Sequence, residues 1–200
     1  MISEEQFKLA KEYEYQHYTS GIQVQNYLNW EYLEIDPRNT TIGKVIVELG
    51  AQNTSLLFGC MGFKRAIIVD PLKLNEIDML KYNMVGIEYL VKKAEEYNYP
   101  LNVDEVWSCN CLTHVQDPDL ILDKIIESNA KVLRIAEPLN TPCDDGHLHT
   151  FNIEYFINRL GPGKIYSGGR AGYHEKECYQ GIINLSQLRK NYEKNYYSFN

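Results

Sequence analysis

The sequence predicts an α/β fold: a doubly wound, mostly parallel sheet with helices on both faces, finishing in a C-terminal antiparallel hairpin. Three observations predict it. The runs KVIVEL and RAIIVD are continuous and β-branched, as strands buried on both faces are. Strand and helix alternate through five strands, an order that calls for right-handed crossovers. The chain then ends in two strand-like segments with no helix between them.

Taken in order, Ser3 followed by Gln6 forms a capping-box pattern and starts a helix that runs to about Tyr18. A second amphipathic stretch covers Gln23 to Leu33. After the turn residues Asp36-Pro37-Arg38-Asn39, Lys44 to Leu49 is the first strand, Thr54 to Met61 reads as a helix, and Arg65 to Asp70 is the second strand. Asn75 caps a helix through about Tyr82, Ile87 to Val91 is a short third strand, and Val103 to Cys109 is a fourth. Asp117-Pro118 is a helix start, with an acid to cap free amides and a proline at the first helical position, so 118–128 is helical. Residues 131–136 form the fifth strand. A helix then opens at Asn152 and is stopped by Gly161-Pro162-Gly163. Lys164 to Ser167 and Tyr179 to Leu185 make the hairpin, and from Lys190 onward a solvated helix or ordered tail follows.

At 200 residues the chain is the size of one domain. We divide it into an N-terminal helical segment (1–40), a Rossmann-like core (41–185) and a tail (186–200). No apolar run approaches the roughly 18 residues that cross a bilayer, and the start MISEEQFKLAKEYE is charged where a secretory signal would be apolar. A soluble, cytoplasmic protein without a membrane partner is expected. The five cysteines are odd in number and lack CxxC spacing, which fits free thiols in a reducing compartment. A net charge of −7 with no offsetting basic stripe argues against nucleic acid as a partner. Oligomeric state is not encoded legibly.

Chemistry concentrates at the exit of the first strand, where Gly50 permits a sharp turn and the close approach of a ligand to the backbone. Twenty residues later Asp70 closes the second strand. A carboxylate there can accept hydrogen bonds from both hydroxyls of a ribose lying over the switch point of the sheet.

From about Tyr13 to Leu185 the chain resembles the class I S-adenosylmethionine-dependent methyltransferases of the small-molecule type. The stretches that carry the resemblance are VIVELGA, AIIVDP, GIEYLVKKAEEY, VDEVWSCNCLTHVQDPDLILDKI, and KVLRIAEP with GHLHTFNIEYFINRLG. It implies a seven-stranded sheet with the last strand antiparallel, S-adenosylmethionine as cofactor, no required metal, and in-line methyl transfer to a small-molecule hydroxyl or amine. It also implies site residues. Glu48 would lie near the cofactor's amino group, and the turn Gly50-Ala51-Gln52-Asn53 would pass its methionine moiety. Asp70 would hold the ribose, with Pro71 lining the adenine. Ala94 would grip the adenine edge through its amide, and Asn110 would lie under the cofactor near the acceptor.

Two departures stand out. Gln52 and Thr54 occupy positions where the family usually has glycine, so their side chains either bond the amino-acid end of the cofactor or crowd it. Lys93 stands where many members carry an acid for the adenine amino group, with Glu95 as the available substitute.

Three histidines are candidates for a base. His114 in LTHV can take a proton or can pack locally. His147 and His149, in Asp144-Asp145-Gly146-His147-Leu148-His149, follow the fifth strand on the rim where an acceptor enters, and rank above it. Their HxH spacing is compatible with a metal but lacks a further recognisable ligand. The competing readings are an inactive binding or regulatory module of the same fold and a nicotinamide-dependent oxidoreductase. The second suffers from the absence of GxGxxG after the first strand.

Overall fold

The computed structural model describes residues 2–18, 30–166 and 177–198. Helix α1 is Glu4–Tyr18, β1 Val45–Leu49, β2 Arg65–Asp70, α2 Glu76–Met84, β3 Ile87–Val91 and β4 Glu105–Cys109. Then come α3 at Pro118–Glu127, β5 at Val132–Pro138, α4 at Ile153–Leu160, β6 at Lys164–Tyr166, β7 at Cys178–Asn184 and α5 at Leu185–Ser198. The expected stretch at Gln23 to Leu33 falls mostly outside the described residues, and 30–32 are helical.

Among the described residues the sheet has seven strands in the order β3-β2-β1-β4-β5-β7-β6. β3, β2, β1, β4 and β5 are parallel neighbours, while β7 pairs antiparallel with both β5 and β6. Order reverses between β1 and β4, the switch point at which ligands bind in such sheets. All five residues of β1 are buried, because each of its faces meets a separate core. On one side Val45, Val47 and Leu49 pack with Ile121, Leu122 and Ile125 of α3, Phe156 and Leu160 of α4, and Leu185 of α5. On the other, Ile46 packs with Leu33, Ile35, Leu56, Leu57 and Tyr82 of α2. Burying each such aliphatic side chain is worth about 1.5–3 kcal/mol.

The helix starts follow the local chemistry. Ser3 and Gln6 form the reciprocal capping box: the Gln6 amide donates to Ser3 Oγ at 3.2 Å and the Ser3 amide to Gln6 Oε1 at 3.1 Å. Asn75, Asp117 and Asn152 each accept a backbone amide at the starts of α2, α3 and α4.

One expected helix is absent. Between β1 and β2 the segment read as helical, Thr54 to Met61, holds only a 3-10 turn at Leu56–Gly59. The groups a longer helix needs are engaged elsewhere: the Met61 amide donates to Pro37 O (2.9 Å), the Thr41 hydroxyl to Met61 O (2.6 Å) and the Gly43 amide to Gly62 O (2.7 Å). Trp30 also fills the space at Gly59, where a Cβ would lie 2.2 Å from the indole.

Candidate functional site

The turn leaving β1 is fixed by geometry that glycine alone satisfies. Gly50 has φ +68°, and a Cβ there would sit 2.8 Å from Cys111 Sγ. Two residues on, Gln52 adopts φ +49°, and it is held there at both ends of its peptide. Its amide donates to Asp70 Oδ2 at 2.9 Å, and its carbonyl accepts the Tyr82 hydroxyl at 2.5 Å.

Asp70, at the end of β2, is 2% exposed. Burial raises its pKa, against the two amides that favour its charge, those of Leu72 (2.8 Å) and Gln52. Each oxygen therefore takes one amide, and a carboxylate has room for about two further bonds. Glu48, inside β1, accepts the Ser55 hydroxyl at 2.5 Å and the Leu56 amide at 3.0 Å. Burial pushes its pKa up to about 7. It anchors the 3-10 turn and faces the same cavity as Asp70.

That cavity lies at the carboxyl ends of β1, β2 and β4 and encloses about 880 Å³ of non-atom space, part of it open to solvent. Its wall includes Glu48, Gly50, Ala51, Gln52, Asp70, Pro71, Ala94, Glu95 and Asn110. Asn53 is not in this wall and lines a neighbouring depression with Leu72 and Asp78. Gln52 and Thr54 both stand in the wall without closing the space.

At the far end Ala94 opens a 3-10 turn. Glu95 Oε1 accepts the amides of Gln116 (2.7 Å) and Asp117 (3.0 Å), so this acid also secures the start of α3. Lys93 bonds Glu4 at 2.7 Å and lies 4.6 Å from the centre of the Phe7 ring, pinning α1 over the cavity. At the near end Asn110 adopts φ +50° just past β4. Its Oδ1 is buried without a partner, while its Nδ2 is 3.4 Å from His114 Nε2.

The third wall comes from α1, which supplies Phe7, Lys11 and Glu14. Glu14 is 4% exposed and lies 2.9 Å from both Lys11 Nζ and His114 Nδ1. Burial pushes its carboxyl up, but the His114 contact and the Lys11 charge outweigh this and hold its pKa below the usual range. His114 Nδ1 also faces Gly146 O at 2.8 Å. Both neighbours of Nδ1 are acceptors, so the neutral ring carries its proton there and leaves the Nε2 lone pair toward Asn110.

Of the three candidate histidines, His114 is in the cavity wall and His147 and His149 are not. His147 is bonded through Nδ1 to Asp144 (2.9 Å), with its ring 4.7 Å from that of His114. His149 Nε2 points to Val115 O at 2.9 Å. The two rings thus serve different partners, and among the described residues no three His, Cys, Asp or Glu side chains are grouped to hold a metal. Cys109 and Cys111 also line the cavity, but burial raises both thiols well above the usual range, which disfavours thiolate chemistry.

Sequence reasoning missed the contribution of α1. A signal was present: Phe7, Ala10 and Glu14 lie on one helical stripe, all buried, and a carboxylate on such a stripe calls for a partner. No helix of the described residues is long and apolar enough to cross a membrane.

No protein-family profile matches the sequence, and no curated protein sequence matches it. Solved structures do. The N-methyltransferase NodS of Bradyrhizobium japonicum WM9, in complex with S-adenosyl-L-homocysteine, superposes with a TM-score of 0.55 at 14% identity over 72% of this chain and 79% of that one. The 1,6-didemethyltoxoflavin-N1-methyltransferase of Burkholderia thailandensis gives 0.57 at 14% identity, covering 80% and 76%. The magnesium protoporphyrin IX methyltransferase ChlM of Synechocystis PCC 6803, with bound S-adenosylmethionine, gives 0.54 at 10% identity, covering 80% and 78%. Strand order, the antiparallel β7 and these likenesses agree: the chain has the fold of the class I S-adenosylmethionine-dependent methyltransferases.

Proposed function

We propose that this chain is a single-domain methyltransferase that binds S-adenosylmethionine in the cavity between Gly50, Asp70 and Asn110 and methylates a small-molecule hydroxyl or amine. The observation that carries the reading is the convergence, on one cavity at the switch point, of the left-handed Gly50 turn, the Asp70 carboxylate and a Glu14–His114 pair. The structural neighbours support it, since NodS and ChlM are methyltransferases whose structures contain the cofactor or its demethylated product.

The residues fit such a cofactor. Asp70 retains acceptor capacity for two ribose hydroxyls, and the orphan Oδ1 of Asn110 can accept from an amino group. Pro71, Ala94 and Glu95 line the end assigned to adenine, and Glu48, Ala51, Gln52 and Asn53 surround or adjoin the amino-acid end. When bound, the cofactor supplies an electrophilic methyl group on sulfonium, whose bond electrons stay on sulfur as the acceptor's lone pair takes the carbon.

The protein's part is orientation and proton removal. Glu14 fixes the His114 ring and its Nδ1 proton, and Nε2 then receives the proton that the acceptor gives up. The negative charge on Glu14 stabilises the imidazolium so formed. His147 and His149 hold the loop over this ring, His147 by packing against it with the rings tilted 40° to each other and His149 by bonding Val115 O.

Release of S-adenosylhomocysteine from S-adenosylmethionine, measured across a panel of hydroxyl and amine acceptors, tests the proposal. Acceptor-dependent product is the expected result, and its absence with every acceptor would favour the second reading, a binding module without turnover. One observation favours that reading: both Glu48 and Asp70 already hold backbone amides of the protein.

A further inference from the structure

Gln180 lies on β7, 2% exposed, and neither its Oε1 nor its Nε2 has a hydrogen-bond partner. Leaving a buried polar atom unpaired costs roughly 1–3 kcal/mol. This side chain has two such atoms, whereas a leucine there would have none. A buried amide of this kind calls for an explanation, and the sheet register offers one.

Gln180 stands opposite Ala136 on β5, and Ala136 stands opposite Cys109 on β4. Residues directly opposite on neighbouring strands present their side chains to the same face. Cys109 lines the cavity, so Gln180 is two strands to the side of it, about 10 Å away between backbones. The residue between them is alanine, which puts no bulky group in the way. One pair nearer the base of the sheet, on the same face, Arg134 is covered by the carbonyls of Leu33 and Glu34. The buried polar atoms of Gln180 have no equivalent hydrogen-bond partner.

We propose that Gln180 reads the methyl acceptor, and that the acceptor carries a cis-amide or lactam edge, an N–H beside a C=O, as nitrogen heterocycles do. The inference rests on the cavity being the S-adenosylmethionine site. A carboxamide offers one donor and one acceptor side by side and matches that edge with two parallel hydrogen bonds. Across the sheet only the methyl group of Ala136 stands between Cys109, at the cavity's edge, and the Gln180 carboxamide.

The test is sequential calorimetry. The protein is first saturated with S-adenosylhomocysteine; if that does not bind, the cavity reading fails and this inference falls with it. 2-Pyridone, uracil, hypoxanthine and nicotinamide are then titrated into the complex, alongside N-methyl-2-pyridone, which lacks the N–H. The expected result is millimolar or tighter binding of at least one of the N–H probes, and a weaker response to N-methyl-2-pyridone than to 2-pyridone. In Gln180→Leu, probe affinity should drop about tenfold or more while the affinity for S-adenosylhomocysteine and the melting temperature do not fall. S-adenosylhomocysteine binding with no response to any probe overturns the proposal. So does equal affinity for 2-pyridone and its N-methyl derivative, a comparison made on the wild-type protein and independent of how the variant folds.

Discussion

Glu14 Oε1 and His114 Nδ1 meet at 2.9 Å, with both side chains largely buried and Lys11 Nζ donating to both oxygens of the carboxylate. This contact ties the first helix to the turn after β4, so the same bond closes the cavity and orients its imidazole.

If Glu14 positions His114, removing it lowers turnover more than substrate binding. Glu14→Ala should reduce kcat by about 10- to 100-fold, with a smaller change in KM for the acceptor. Rescue by the conservative variant distinguishes positioning from mere structure: Glu14→Gln keeps an acceptor for Nδ1–H without the charge, so its kcat should fall between those of Glu14→Ala and the wild type. Equal kcat in the three folded proteins would contradict the assignment.

Gly50 combines a left-handed backbone with a close approach to Cys111. Gly50→Ala should destabilise the fold by about 1–3 kcal/mol and weaken S-adenosylhomocysteine binding. Pairing it with Cys111→Gly, which removes the opposing side chain, should restore part of the stability, though not the part due to φ. Urea unfolding of the two variants measures this, and additive losses in the pair would show that the approach to Cys111 is not the constraint.

Glu137, fully buried on β5, gathers the Ser108 hydroxyl and the amides of Cys111 and Leu112 on one oxygen, and its other oxygen has no partner. Burial pushes its pKa up to about 7 from the model-compound value of 4.5. A carboxyl raised in the folded state binds its proton more tightly there than in the unfolded chain. Its contribution is therefore intact below about pH 4.5 and lost as pH rises through about 7, an effect of up to about 3 kcal/mol. Glu137→Gln removes that dependence, so the variant's stability relative to wild type should increase between pH 5 and 8. Parallel stability curves over that window would refute it.

Much of the fold was legible because its determinants are local. Ser3 with Gln6, Asp117 with Pro118 and Asn152 with Gly161 mark helix ends by neighbouring residues alone, and the β-branched runs of β1 and β2 identify strands buried on both faces. The helix expected at Thr54 to Met61 failed for a non-local reason, since Pro37, Thr41, Gly43 and Trp30 claim its backbone and space. In the site, the Gly50 turn and Asp70 were readable from strand ends. The part of α1 was not, because Glu14 and His114 are adjacent only once the chain has folded. His147 and His149 drew attention by their HxH spacing, yet the two rings point to different partners, while His114 stands in the wall.

Whether the cavity between Gly50 and Asp70 binds S-adenosylmethionine is read by titration calorimetry with S-adenosylhomocysteine. One site per chain with micromolar affinity is expected, weakened about tenfold or more by Asp70→Ala. No heat of binding at millimolar ligand, or equal affinity in the folded Asp70→Ala protein, would contradict it.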